Sequence, residues 1–312
     1  MREAYYSFID HFLASYTGRI LGEALQLLGQ LWPYLLGGIL LSSLVKVFIS
    51  REWMTDIFSA KHQGIPVLIA ALIGAVSPLG SYVVIPLSAA LFSTGVPLAV
   101  LMALLVSGPL INPNLFVLTA GAMGLEMALL RTFAAISLGV LAGYTTLWLE
   151  SKGRLHRAEV LQRARSLDPD AIRGGRMEPT GRGFLKELYK MSLFISRYFF
   201  MALILAAVLK ILVNPRIIIR LFDGDNLLSV LLSTAAGIPF YVCGGAAIPI
   251  VQSLADMGMA KGAVLAYFIS GPATKISNLV VLHAAFSRII LLIYLLVALL
   301  GAIVFGFIYN LV

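Results

Sequence analysis

Residues 74–109 read GAVSPLGSYVVIPLSAALFSTGVPLAVLMALLVSGP, and residues 237–272 read GIPFYVCGGAAIPIVQSLADMGMAKGAVLAYFISGP. Laid over each other without gaps, 163 residues apart, the two share glycines (Gly74/Gly237, Gly95/Gly258), the pairs Ile85-Pro86 and Ile248-Pro249, and the triplets Ser107-Gly108-Pro109 and Ser270-Gly271-Pro272. Leu91/Leu254 and Ala103/Ala266 match as well. Each copy places helix breakers in the middle of apolar sequence. Interrupted hydrophobic segments at corresponding positions of two halves point to the binding site of a membrane transporter.

Composition agrees with a membrane setting. The chain has 312 residues, of which 60% are hydrophobic and only 12% charged, and its mean hydropathy is +0.94. Soluble domains carry about a quarter charged residues. Here the charges are crowded together and leave apolar runs long enough to cross a hydrocarbon core of about 30 Å. The first twenty residues contain Glu3, Asp10, His11 and Arg19, so the first span is expected to serve as its own insertion signal rather than be cleaved. A single cysteine, Cys243, excludes an intramolecular disulfide and a multi-cysteine metal cage.

Between Lys152 and Lys186 nine Lys or Arg stand against four acids, Glu159, Asp168, Asp170 and Glu178. This stretch explains much of the net charge of +8 and reads as a basic cytoplasmic linker under the positive-inside rule, not as a nucleic-acid patch. A regulatory or partner-binding loop is the alternative. The organisation expected is a first membrane repeat over 1–150, the linker over 151–187 and a second membrane repeat over 188–312.

Eight hydrophobic segments follow, at about 22–49, 65–93, 97–122 and 125–149 and again at about 188–213, 227–255, 260–285 and 287–311. Amphipathic stretches, Arg51 to His62 and Pro215 to Asn226, lie after the first segment of each half and suit the membrane interface. The arms on either side of Ser77-Pro78-Leu79-Gly80-Ser81 have ten to twelve residues, too few to span alone. They form either one discontinuous span or a re-entrant hairpin. The first choice gives eight spans and parallel repeats; the second gives six spans and inverted repeats, and is favoured here because that plan is common among secondary transporters.

Both plans put the breaks near mid-membrane, where irregular backbone is tolerated only against protein or a wet cavity. Polar side chains gather at these breaks: Ser77, Ser81, Tyr82, Ser107, Asn112 and Asn114 in the first half, and Tyr241, Cys243, Ser270, Thr274, Lys275, Ser277 and Asn278 in the second. Lys275 is a charge at the repeat position of Asn112, suited to an anionic substrate or to proton coupling; the competing reading is a lysine that snorkels or bonds to freed carbonyls. Ser277 is part of the polar cluster, and the other twelve are the expected substrate-binding set. Arg131, Arg197, Lys210 and Arg288 lie nearer span ends and are expected to anchor at the interface. Carboxylates are missing near the breaks, which argues against a free metal cation as cargo. No phosphate-binding Gly-x-x-x-x-Gly-Lys-Ser/Thr pattern occurs, so no ATPase is expected, and no catalytic triad pattern surrounds His283.

The segment from Gly237 through Tyr241, Cys243 and Pro249, followed by Gly271-Pro272-Ala273-Thr274, resembles the predicted permease family that includes YraQ and the ArsP-type organoarsenical efflux permeases. Pro78, Ile85-Pro86, Pro109 and Asn112-Pro113 fit the first copy. The resemblance covers about residues 20–310 and implies an inner-membrane permease that exports a small solute. Many relatives carry Cys-Ser-Cys where this chain has Gly80-Ser81-Tyr82, and Asn where it has Lys275, so the resemblance implies the fold without the thiol pair of the arsenical carriers.

The expectation is an all-α polytopic membrane protein of two homologous repeats. It exports a small organic, anionic or metalloid-containing solute through a midplane site, with no catalytic residues, cofactor or resident metal. Its partners are the lipid bilayer and a small-molecule substrate, not nucleic acid, and a homo-oligomer is left open. A channel with a broken-helix filter, or a non-transporting scaffold, are the alternative classes.

Overall fold

The computed structural model describes residues 16–48, 64–77, 84, 88, 91–92, 96–153, 155, 181–222, 226–238 and 247–311. Among the described residues it is all helix and turn, without strands. The first half contains α1 (Tyr16–Phe48), α2 (Gly64–Val76), α3 (Leu98–Leu110), α4 (Pro113–Met123) and α5 (Leu125–Ser151). The second contains α6 (Gly181–Leu212), α7 (Pro215–Phe222), α8 (Leu227–Gly237), α9 (Ala247–Asp256), α10 (Lys261–Thr274), α11 (Ile276–Ala285) and α12 (Arg288–Leu311). Four stretches are long and apolar enough to cross a bilayer: Tyr16–Leu41, Leu98–Met123, Leu125–Ser151 and Arg288–Leu311. The last part of α6, Phe199–Leu212, and α7, bent from it by 96°, would make a fifth only if the two formed one span. The bend suits the amphipathic reading of the stretch after Pro215, because α7 turns away from the span that precedes it. The other amphipathic stretch, 51–62, lies outside the described residues.

The surface carries the signature of a bilayer rather than of water. On α12, Ile289, Leu292, Leu296, Leu300, Val304, Ile308 and Leu311 are all exposed, a stripe repeating every three or four residues on one helix face. Leu125, Leu129, Phe133, Leu141, Tyr144 and Trp148 form the equivalent stripe on α5. The centre is held by α3 and α10, in which every residue from Leu98 to Leu110 and from Gly262 to Thr274 is buried.

Helices approach closely where side chains are smallest. Without a hydrophobic drive between helices in lipid, close packing over glycine and alanine is the main way to hold them together. A Cβ on Gly143 of α5 would meet Val67 of α2, and would lie 2.9 Å from the Ala99 carbonyl oxygen and 3.3 Å from the Ala103 Cβ. A Cβ on Gly306 of α12 would lie 2.9 Å from Val230, 2.7 Å from the Gly262 carbonyl oxygen and 2.9 Å from the Ala266 Cβ. Each neighbour of Gly306 is 163 residues after its counterpart at Gly143. The helix starts keep the same interval: Gly64 and Leu227, Leu98 and Lys261, Pro113 and Ile276, Leu125 and Arg288.

These contacts also set direction. Along α5, Gly143 lies against Val67 and Ala99, and Gly139 against Ala71 and Ala103. Helices α2 and α3 therefore run side by side in one direction, antiparallel to α5, and both begin at the level of Gly143. The chain leaves that level with α2 and is back at it when α3 starts. In the second half α8 and α10 both reach Gly306 in the same manner. Between the halves, Glu126 bonds to Tyr309 at 2.9 Å, Phe133 meets Phe305 edge-on at 6.1 Å, and Leu138 fills the space over Gly301. That order makes α5 and α12 antiparallel.

Overpacking at such a contact costs about 1–3 kcal/mol. Gly143→Ala and Gly306→Ala should each lower the thermal unfolding midpoint of the detergent-solubilised protein. Gly22→Ala and Gly29→Ala, where a Cβ meets nothing within 4 Å, should leave it unchanged or raised.

Candidate functional site

The first interruption is built where α2 ends against α3. The Ser77 amide donates to the Ile73 and Gly74 carbonyls at 2.7 and 3.2 Å, closing the last turn of α2. Gly74 lies directly against the Ser107 hydroxyl, and that hydroxyl donates to the Ala103 carbonyl at 2.9 Å. Val84, on the far side of the interruption, comes to the same place beside Gly108. Ser77 and Ser107 are both buried at this interruption.

Helix α3 contains Pro109 and stops at Leu110; Ile111 and Asn112 are extended, with ψ of 150° and 170°. The Asn112 side chain then accepts from the Leu115 amide at 2.9 Å, satisfying one of the orphan donors at the start of α4, with Pro113 at its first turn. Asn112 is a helix cap as well as a predicted site residue. Asn114 points elsewhere: its buried side-chain oxygen lies against the backbone of Gly38 on α1, and no conventional donor meets that oxygen among the described residues.

The second interruption repeats the plan with different chemistry. Gly237 at the end of α8 lies against the Ser270 hydroxyl and the Gly271 amide, as Gly74 lies against Ser107 and Gly108. Helix α10 ends at Thr274, and Lys275 alone, with φ −55° and ψ 119°, separates it from α11. The Thr274 hydroxyl donates to the Ser270 carbonyl at 2.8 Å. The Asn278 side-chain amide reaches back to the Pro272 carbonyl at 3.4 Å, across the break, while its oxygen is buried without a partner among the described residues. Lys275 is half-buried, and its carbonyl accepts from the Asn278 and Leu279 amides at 2.9 and 3.1 Å. Ser81, Tyr82, Tyr241 and Cys243 lie outside the described residues.

Two basic residues depart from the expected interfacial anchoring. Arg131 is 3% exposed. Its Nε donates to the Leu110 carbonyl at 3.2 Å, a group left open where α3 breaks, and its Nη1 donates to the Thr119 hydroxyl at 2.9 Å. The guanidinium lies 4.3 Å from the centre of the Phe268 ring, on α10 of the other half. One side chain therefore joins α3, α4, α5 and α10. Lys210 pairs with Glu23 of α1 and with Asp256 of α9 at 3.3 Å, tying three helices instead of reaching for headgroups. Arg288, at the start of α12, is exposed. The signal for Arg131 was its row: Met127, Arg131, Ala135, Gly139 and Gly143 fall every four residues, so the arginine shares the small-residue face turned toward protein.

A cavity of about 250 Å³ opens between the halves at the end of the bundle opposite Lys152. It is lined by Met123, Glu126 and Met127 on one side and by Gln252, Asp256, Met259, Lys261, Val264 and Tyr309 on the other.

The family described as predicted permease matches residues 21–311. The chain is 23% identical over 264 residues to the UPF0718 protein YcgR of Bacillus subtilis (strain 168), covering 82% of this chain and 85% of that protein. It is 25% identical over 281 residues to the UPF0718 protein YraQ of Escherichia coli (strain K12), covering 88% and 76%. No solved structure matches. A helical membrane protein whose interrupted helices pack in matched pairs, and whose sequence fits the family model over nearly its whole length, belongs to the predicted permease family.

Proposed function

We propose that this chain is a secondary permease of the inner membrane, exporting a small organic, anionic or metalloid-containing solute without altering it chemically. The observation that carries the reading is the matched pair of interruptions, Gly74 on Ser107 and Gly237 on Ser270. Each leaves backbone groups and small hydroxyls deep in the bundle, where irregular backbone persists only against protein or a wet cavity.

The architecture in this reading is an inverted repeat with six spans. Helix α1, the α3–α4 pair and α5 are the spans of the first half; α6, the α10–α11 pair and α12 are those of the second. The stretches beginning with α2 and α8 are re-entrant hairpins. Support comes from the common starting level of α2 and α3 beside Gly143, and of α8 and α10 beside Gly306. Three spans per half turn the second half over, in keeping with the antiparallel run of α5 and α12. The basic linker then faces the cytoplasm and the ends of α4, α9 and α12 face outward. Ser77, Ser107 and Asn112 meet the substrate from the first half, Ser270, Thr274, Lys275 and Asn278 from the second, and one half rocks against the other. Asn114, turned to Gly38, is left to packing.

Topology and transport measurements test this. Topology reporters placed in the linker (156–180) and after Leu311 should report opposite sides of the membrane; the same side for both would mean an even number of spans per half and would sink the inverted repeat. Cells lacking the protein should be more sensitive to some small organic anion or metalloid compound, and reconstituted wild type should export that compound with saturation. Lys275→Ala should slow that export about tenfold, the worth of one charge-assisted contact near 1.4 kcal/mol. Flux that never saturates would mark a channel instead.

A further inference from the structure

The cavity between the halves has charges of both signs at its mouth and a buried guanidinium beyond its floor. Glu126 and Asp256 line it, with Lys261 beside them, and Lys210 pairs with Asp256. Met127 on α5 and Val264 on α10 lie deepest along their helices among its lining residues. Four residues further along each helix, one turn inward on the same face, stand Arg131 and Phe268. These two stack at 4.3 Å and are both buried. One turn beyond the inner end of the cavity a guanidinium therefore lies on an aromatic ring, one partner from each half.

We propose that the cavity is the outer vestibule of the permeation path and that the Arg131–Phe268 stack is its charge-selective constriction, passing anionic or neutral solutes and refusing inorganic cations. The assignment rests on the permease reading for the existence of a path, and adds the class of solute. The mouth sets Glu126 and Asp256 beside Lys261 and Lys210 and so has no net sign with which to select. A fixed positive charge beyond the floor is what a narrow pore uses to turn cations back. Arginine suits the task because no accessible pH removes its charge. Its hydrogen bonds to the Leu110 carbonyl and Thr119 hold the charge on the first half, while Phe268 moves with the second. Rocking of the halves would part the stack and leave the guanidinium facing the opening. At the position 163 residues after Arg131 stands Tyr294, buried on α12, so the first half alone supplies this charge.

The test uses the full chain in proteoliposomes and reads potassium and chloride permeability from dilution potentials. Wild type should be tight to both. Phe268→Ala should open a leak that favours chloride over potassium at least fivefold. Adding Arg131→Gln should abolish or reverse that preference, whereas adding Arg131→Lys, which keeps the charge, should retain it. A Phe268→Ala protein as tight as wild type, or a leak with the same selectivity whatever stands at 131, would overturn the proposal. The assay does not need the exported solute. An Arg131-dependent leak in a protein that exports nothing would therefore sink the permease reading and leave the constriction standing, and saturable export without such a leak would do the reverse.

Discussion

An amide or carbonyl left without a partner inside a bilayer costs several kcal/mol, and this chain interrupts its helices repeatedly in its interior. The arrangement around those interruptions is a set of answers to that constraint. Asn112 caps α4, Arg131 takes up the Leu110 carbonyl, and Asn278 bridges back to the carbonyl of Pro272. Glycines at 74 and 237 let the α2 and α8 backbones press against the serines at the neighbouring breaks. The two central helices are buried on every side because only protein can supply so many partners.

Much of this was written in local chemistry. Proline and glycine within apolar runs mark Ser77, Asn112 and Lys275 as places where helix cannot continue, and a helix ends at each of them. The interval of 163 residues in the sequence reappears in the helix starts and in the atoms that meet at Gly143 and Gly306. Ser107, Asn112 and Asn278 follow the same logic, since a short polar side chain beside a break has a nearby backbone group to bond. Asn114 shows the limit: two residues past the break, helix rotation turns it to Gly38.

What stayed hidden depended on distant pairing. Arg131 sits six residues into α5, about 9 Å from its start, a depth from which arginines commonly reach the interface. Its burial follows from Thr119, Leu110 and Phe268, on three other helices, and no local pattern announces that meeting. Lys210 is similar, since Glu23 is 187 residues away in sequence. The small-residue row through Ala135, Gly139 and Gly143 was the available clue, because it says which face of α5 meets protein.

The burial of every residue of α3, and of α10 after Lys261, has a mechanical consequence. Neither helix presents a side chain to acyl tails, so a change in bilayer thickness reaches them only through the outer helices. α5 and α12, with their long apolar stripes, can tilt to absorb such a mismatch at modest cost per ångström. The depth of the interrupted backbone is thus fixed by its protein neighbours, and the surrounding lipid can vary in chain length without shifting it.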